Sequence, residues 1–259
     1  TQEALNAERD RLQLLGGQIT FIDAPVLPAS STGIRQALAE GQPTPYLPVQ
    51  VREYAEAAGL YGIKARIHQA SNWLPMLFED LSAKRFSHTL AVAAAARELA
   101  LRHGLDADRA EMAGLLHDCA KCMPLKDMQQ LAKAQHLTED SDLLASASLL
   151  HAAAGACLAE QKYGMTDPAV LDAIRRHTTG EPGMSKLDMA VWLADAIEPT
   201  RAPYPLLEEV RALADVSLER ALMTSMEGTL RYVRKKGYAV HPTTVHTLEW
   251  LRTLPECQG

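Results

Sequence analysis

The sequence predicts a mainly α-helical protein, an all-helical bundle preceded by a small α/β segment. Two observations carry this. Aromatic residues make up only 5% of the chain while hydrophobic residues reach 47%. Ala and Leu dominate the apolar set, which favours helices packed on helices over a β-sandwich. From about residue 63 onward strand signals vanish, and amphipathic stretches with helical spacing follow one another. A length of 259 residues allows one large domain or two smaller ones.

The elements follow in order. Residues 1–15 read as a helix with Leu5, Leu12 and Leu14 among charges, closed by Gly16-Gly17. Ile19-Thr20-Phe21-Ile22 is the one run with strand character, ended by Pro25 and Pro28. Ser30-Ser31-Thr32 caps a helix that stops at Gly41. Its free N–H groups suit a phosphate, with Arg35 nearby, but on physics alone an ordinary N-cap is preferred. A second short helix follows, with Val49, Val51, Tyr54 and Leu60-Tyr61 as its apolar residues and Gly59 and Gly62 punctuating its end. The later helices are expected over Ser71–Leu81, Arg85–His103, Asp106–Asp118 and Pro124–Ala134. A polar loop at 139–142 precedes a helix carrying His151 and Leu158. Asp167–His177, Ser185–Ile197, Ser217–Lys236 and Pro242–Leu251 complete the set, Gly180 and Pro199 marking two of the stops.

The net charge of −6 lacks the basic footprint of a nucleic-acid binder. An anionic substrate therefore needs a local positive site of metal ions and a few Lys or Arg. Cys119 and Cys122 form a C-x-x-C, but no second pair stands at zinc-ribbon spacing, so the pair reads as incidental. The four cysteines suggest no disulfide framework, and a reducing cytoplasm fits. No signal-peptide pattern and no membrane-length apolar run is seen, and the start without Met reads as a fragment of a longer chain.

The chemistry concentrates around His117-Asp118, at the end of the apolar run Ala113-Gly114-Leu115-Leu116. His88, His151, His177 and Asp195 have apolar or small neighbours on at least one side. Each alone is more often a satisfied core residue than a ligand. Together they place four imidazoles and two carboxylates on apolar helix faces, a set strongly destabilising without partners. Two metal ions sharing Asp118 would satisfy it, and mixed His and carboxylate ligands suit iron, manganese or similar metals.

Two stretches resemble known families. Ala29-Ser30-Ser31-Thr32-Gly33-Ile34-Arg35, Tyr46-Leu47-Pro48 and Gly59-Leu60-Tyr61 look like the C-terminal tail of bacterial nicotinate-nucleotide adenylyltransferase, covering residues 1–62. That family's H-x-G-H is absent here, so no adenylyl transfer is expected of this chain. Residues 69–255 resemble the HD-domain phosphohydrolases, and more closely the YqeK-type symmetrical bis(5'-nucleosyl)-tetraphosphatases. The matching pieces include Arg85-Phe86-Ser87-His88, Leu116-His117-Asp118, Leu149-Leu150-His151, His177-Thr178-Thr179-Gly180 and Asp195-Ala196-Ile197-Glu198-Pro199-Thr200-Arg201, with Gly237 and His241-Pro242 beyond.

The resemblance implies the roles. His88, His117, Asp118 and Asp195 hold one metal, and Asp118, His151 and His177 the second. A water bridging the metals becomes the nucleophile. Lys121 is placed to neutralise developing charge, Arg201 is a second phosphate ligand, and Thr178, Thr179 and Gly180 supply donors. For Lys121 and Arg201 a solvated surface charge is the plainer alternative. Of Arg175 and Arg176 one is expected to face the site. His68, His103, His136, His241 and His246 receive no role. The implied reaction is hydrolysis of diadenosine tetraphosphate to two ADP by an enzyme with a transition-metal pair, iron in the first place. The implied partner is a small-molecule dinucleoside polyphosphate, with no nucleic acid and no membrane, and a homodimer is compatible. Two other functions stay open: an HD phosphohydrolase of other nucleotides, and a regulatory module that binds nucleotides without turnover.

Overall fold

A computed structural model describes residues 2–20, 28–63 and 70–258. The described residues contain helices and no strand. The helices are α1 (Gln2–Leu14), α2 (Ser31–Ala39), α3 (Val49–Ala58), α4 (Ala70–Asp80), α5 (Ala83–Arg102), α6 (Ala107–Leu116), α7 (Leu125–Ala134), α8 (Ser141–Ala145), α9 (Ala147–Gln161), α10 (Pro168–Arg176), α11 (Lys186–Ile197), α12 (Leu207–Ala214), α13 (Leu218–Lys235) and α14 (Pro242–Leu251).

Local chemistry explains most boundaries. Ser82, Asp106, Asp167, Ser185 and Ser217 each cap a helix by accepting a backbone N–H with the side chain. Ser185 and Asp188 form a full capping box at the start of α11. Gly59 ends α3 in the left-handed conformation, at φ 65°.

Three details differ from the sequence expectation. Ile19 and Thr20 lie outside helix and strand, while Phe21 and Ile22 fall outside the described residues. Ser141 and Asp142, read as loop, open the short helix α8 because Asp140 caps it. Helix α12 was not anticipated. Its start has no side-chain cap and follows Leu206 at φ 78°, so the usual N-terminal signal is missing.

The core is centred on the pair α5–α6, with α9, α10 and α11 packed on it and α13 packed on α11. Gly114 permits the close approach of α6 to α5: a Cβ there would stand 2.8 Å from Ala93 Cα. Helix α3 lies against α4 and α5, and its Ala57 belongs to the same apolar cluster as Trp73, Leu77 and Leu90. A smaller cluster of Met128, Ala132, Leu150 and Ala154 sits where α7 packs on α9. Among the described residues no helix is long and apolar enough to cross a membrane.

Candidate metal centre

The apolar core surrounds one polar point. His117, Asp118, His151 and His177 are almost fully buried, and His88 is nearly so. Each reaches that point from a different element. His88 comes from the second turn of α5, His151 from the start of α9, and His177 from the C-cap of α10. His117 is the C-cap of α6, and the chain then tightens into successive i→i+3 turns. The bonds Cys119 N to Leu116 O and Lys121 N to Asp118 O turn Lys121 back over Asp118. Asp195 stands in the last turn of α11.

The distances form two overlapping groups. In the first, His88 Nε2 is 3.0 Å from Asp195 Oδ1 and 4.0 Å from Asp118 Oδ2. His117 Nε2 is 4.0 Å from Asp195 Oδ1 and 3.4 Å from Asp118 Oδ2. In the second, His151 Nε2 is 3.0 Å and His177 Nε2 3.7 Å from Asp118 Oδ1. Asp118 thus turns one oxygen to each group. Ligand atoms of His88, His117 and Asp195, and those of His117, Asp118 and His177, lie within 4.8 Å of one another.

The donor set fits metal ions. His88 Nε2, His117 Nε2 and Asp118 Oδ1 are buried with no hydrogen-bond partner among the described residues. Orphaned polar atoms of this kind are costly. The outer ring nitrogens are all engaged: His117 Nδ1 faces Gly114 O at 2.7 Å, His177 Nδ1 faces Ile174 O at 2.7 Å, and His151 Nδ1 faces Ala147 O at 3.3 Å. A carbonyl partner fixes the proton on Nδ1, so each Nε2 lone pair points inward, as metal-ligating histidines require.

Electrostatics agree. Burial opposes ionisation of Asp118, but the imidazoles of His117, His151 and His177 gathered around it hold its carboxyl far below the usual range. Burial likewise opposes ionisation of Asp195, and His88, His117 and Arg201 outweigh it. Burial pushes His151 down to about 4, so that ring is neutral near pH 7.

Two further residues belong to this centre and received no role from the sequence. Glu198 Oε1 lies 3.0 Å from His88 Nδ1, a carboxylate that orients the imidazole. Arg85 Nη1 donates to Asp118 Oδ2 at 2.7 Å. The available signal was helical spacing, since Arg85 precedes His88 and Glu198 follows Asp195 by three residues each.

Lys121 Nζ is 3.0 Å from His151 Nε2 and 3.6 Å from Asp118 Oδ1. Arg201 Nη2 donates to Asp195 Oδ1 at 3.2 Å. Both are therefore at the centre and not solvated at a distance.

The loop after His177 is less open than the sequence suggested. The Gly180 N–H already donates to Arg176 O, and Thr179 Oγ1 donates to Gly180 O. Gly180, at φ 65°, is packed so that a Cβ would meet Thr247 at 2.7 Å. Of the three loop residues expected as donors, Thr178 keeps an uncommitted side chain on a cleft wall. Neither Arg175 nor Arg176 is held toward the candidate ligands. Arg175 pairs with Asp172, and Arg176 with Glu181 and the buried Asp188.

The remaining candidates behave as ordinary structure. Ser30 Oγ accepts from Gly33 N as a plain cap. Cys119 is buried and Cys122 exposed, and burial pushes the Cys119 thiol up, leaving it unreactive. His68 lies outside the described residues.

The HD domain family model matches residues 85–216. Over 177 residues the chain is 40% identical to the symmetrical bis(5'-nucleosyl)-tetraphosphatase of Bacillus subtilis, covering 67% of this chain and 92% of the relative. The chain belongs to the HD-domain family, in the group of these tetraphosphatases. A Mycoplasma pneumoniae protein named "Probable nicotinate-nucleotide adenylyltransferase/Ap4A hydrolase" is 35% identical over 170 residues, which span 65% of this chain and 48% of that protein. A crystal structure from Clostridium acetobutylicum, described as a "predicted HD superfamily hydrolase involved in NAD metabolism", matches with a TM-score of 0.69 at 34% identity. The match covers 71% of this chain and 97% of that one. These matches bear out the helical HD fold expected from the motifs.

Proposed function

We propose that this chain is a metal-dependent hydrolase that cleaves diadenosine tetraphosphate symmetrically into two ADP. The observation that carries the proposal is the Asp118 carboxylate, which turns one oxygen to each of two ligand groups in a chain of the tetraphosphatase group. His88, His117, Asp118 and Asp195 would hold one ion, and Asp118, His151 and His177 the second. Iron is our first assignment and manganese the second, because imidazole with carboxylate suits both. Such a pair supplies activated water and neutralises phosphate charge.

The protein's own residues do the rest. Glu198 fixes the His88 ring. Lys121, Arg201 and Arg85 now sit on site carboxylates or imidazoles, within reach of a phosphate chain crossing the centre. A polyanion placed there draws these cations off the ligand groups and onto its own oxygens. Lys121, beside the shared Asp118, is best placed to stabilise charge as the inner anhydride breaks.

Residues 1–62 we read as the tail of an adenylyltransferase-like domain and 69–255 as the phosphohydrolase. The double name of the Mycoplasma relative supports that pairing. The buried thiols of Cys119 and Cys157 suit a reducing cytoplasm. The decisive assay incubates metal-loaded protein with diadenosine tetraphosphate and identifies the products. ADP alone supports the proposal, while AMP with ATP contradicts symmetrical cleavage.

A further inference from the structure

A cleft of about 580 Å³ opens beside Thr178, the residue that follows His177. Its walls come from α8, α9, α11, α13 and the segment leading into α14. Trp192, Leu230 and Val233 give it apolar surface, and Tyr238 lines it while remaining 67% exposed. Trp192 Nε1 donates to Thr178 O at 3.3 Å, which ties this wall to the loop that carries His177. The cleft is therefore held against the His151–His177 end of the metal centre.

Charge separates the two ends of the site. Asp142 lies on the cleft wall, and none of the described residues lining it is Lys or Arg. The arginines stand at the other end, Arg85 on Asp118 and Arg201 on Asp195, with Lys121 between. A phosphate meets no lysine or arginine in the cleft and gains charge-assisted bonds at the arginines. A flat, largely neutral heterocycle gains from a concave apolar wall with aromatic rings.

The geometry points to this cleft as the seat of one nucleoside of the substrate, with the polyphosphate running from Thr178 over Asp118 toward Arg85 and Arg201. The assignment rests on the proposed function for the identity of the substrate. It makes the site directional: the base is held at one end, and the cations at the other hold phosphate.

Thr229 is exposed and lines the cleft, so Thr229→Trp fills it without touching the ligand set. Tyr238→Ala removes an aromatic wall at an exposed position. In metal-loaded protein, calorimetric titration with ADP and with inorganic pyrophosphate tests the assignment. Thr229→Trp should weaken ADP about tenfold or more, and Tyr238→Ala severalfold, with pyrophosphate within about twofold of wild type. KM for diadenosine tetraphosphate should rise more than kcat falls. Unchanged ADP affinity in both variants overturns the assignment, as does parallel loss of pyrophosphate. If the wild type binds ADP in this way but leaves the dinucleotide intact, the proposed function fails and the cleft stands. If it yields two ADP while Thr229→Trp changes neither ADP affinity nor KM, the cleft fails and the function stands.

Discussion

His151 Nε2 and His177 Nε2 face each other at 3.0 Å, while the Nδ1 of each ring is turned to a backbone carbonyl. With both protons held on Nδ1, two lone pairs meet across a buried gap. Such a contact is favourable only with a cation between or beside the rings. Lys121 Nζ, 3.0 Å from His151 Nε2, occupies that role in the protein alone. A metal ion held by both rings and Asp118 would fulfil it better, and would leave the ammonium free for substrate.

Asp118 is the residue whose loss should cost both ions. Asp118→Ala is expected to lower bound metal from two equivalents toward zero and turnover by more than about a hundredfold. Elemental analysis of the purified variant, beside its hydrolysis rate, checks this. Full metal content in Asp118→Ala would end the shared-ligand assignment.

Glu198 acts through His88. Glu198→Gln keeps the shape but removes the carboxylate that anchors the ring proton. Metal affinity should fall about 10- to 100-fold, measured by competition with a chelator, while the fold persists. An unchanged affinity would mean that Thr200, which also bonds this carboxylate, is its main purpose.

Gly114 sets the spacing of α5 and α6. Alanine there gains helix propensity of about 1 kcal/mol, but its methyl meets the Ala93 backbone at 2.8 Å. Backbone cannot yield as a flexible side chain can, so the clash wins. Gly114→Ala should destabilise by about 1–3 kcal/mol in urea titration, with weaker metal binding because His117 ends the same helix. A gain in stability would refute the close-packing argument.

Glu219, buried at the start of α13, receives Lys186 Nζ at 2.9 Å and Ser217 Oγ at 2.8 Å. Burial alone would raise its pKa, but these partners outweigh it and hold the carboxyl below its ordinary 4.5. A depressed folded pKa means stability that is present above 4.5 and lost as pH falls through the folded value. Melting temperatures of wild type and Glu219→Gln should therefore differ near neutral pH and converge in acid. Parallel curves across that range would rule the linkage out.

Much of the fold was readable because helix signals are local. Serine and aspartate caps, glycine stops and amphipathic spacing set most boundaries to within a residue or two, as at Asp106, Asp167 and Ser185. Helix α12 escaped because it begins after a left-handed Leu206 with no capping side chain. Its position follows from packing on α13 and α11, which no local pattern records. The candidate ligands were legible for a different reason. Histidines and carboxylates embedded in apolar helix faces need a cation, and six of them in one chain imply a shared one.

The sequence by itself determined most of the helices, the six ligand candidates and, through its motifs, the HD family. Only the tertiary structure decided which groups share a point in space. It assigned one oxygen of Asp118 to each ligand group, put Glu198 behind His88 and Arg85 on Asp118, and committed the Gly180 N–H to a helix end. It also joined α9, α11 and α13 into a cleft beside Thr178. The physical reason is range. Caps and periodicity act within one or two turns of chain, whereas ligand geometry and pocket shape come from contacts between residues tens of positions apart.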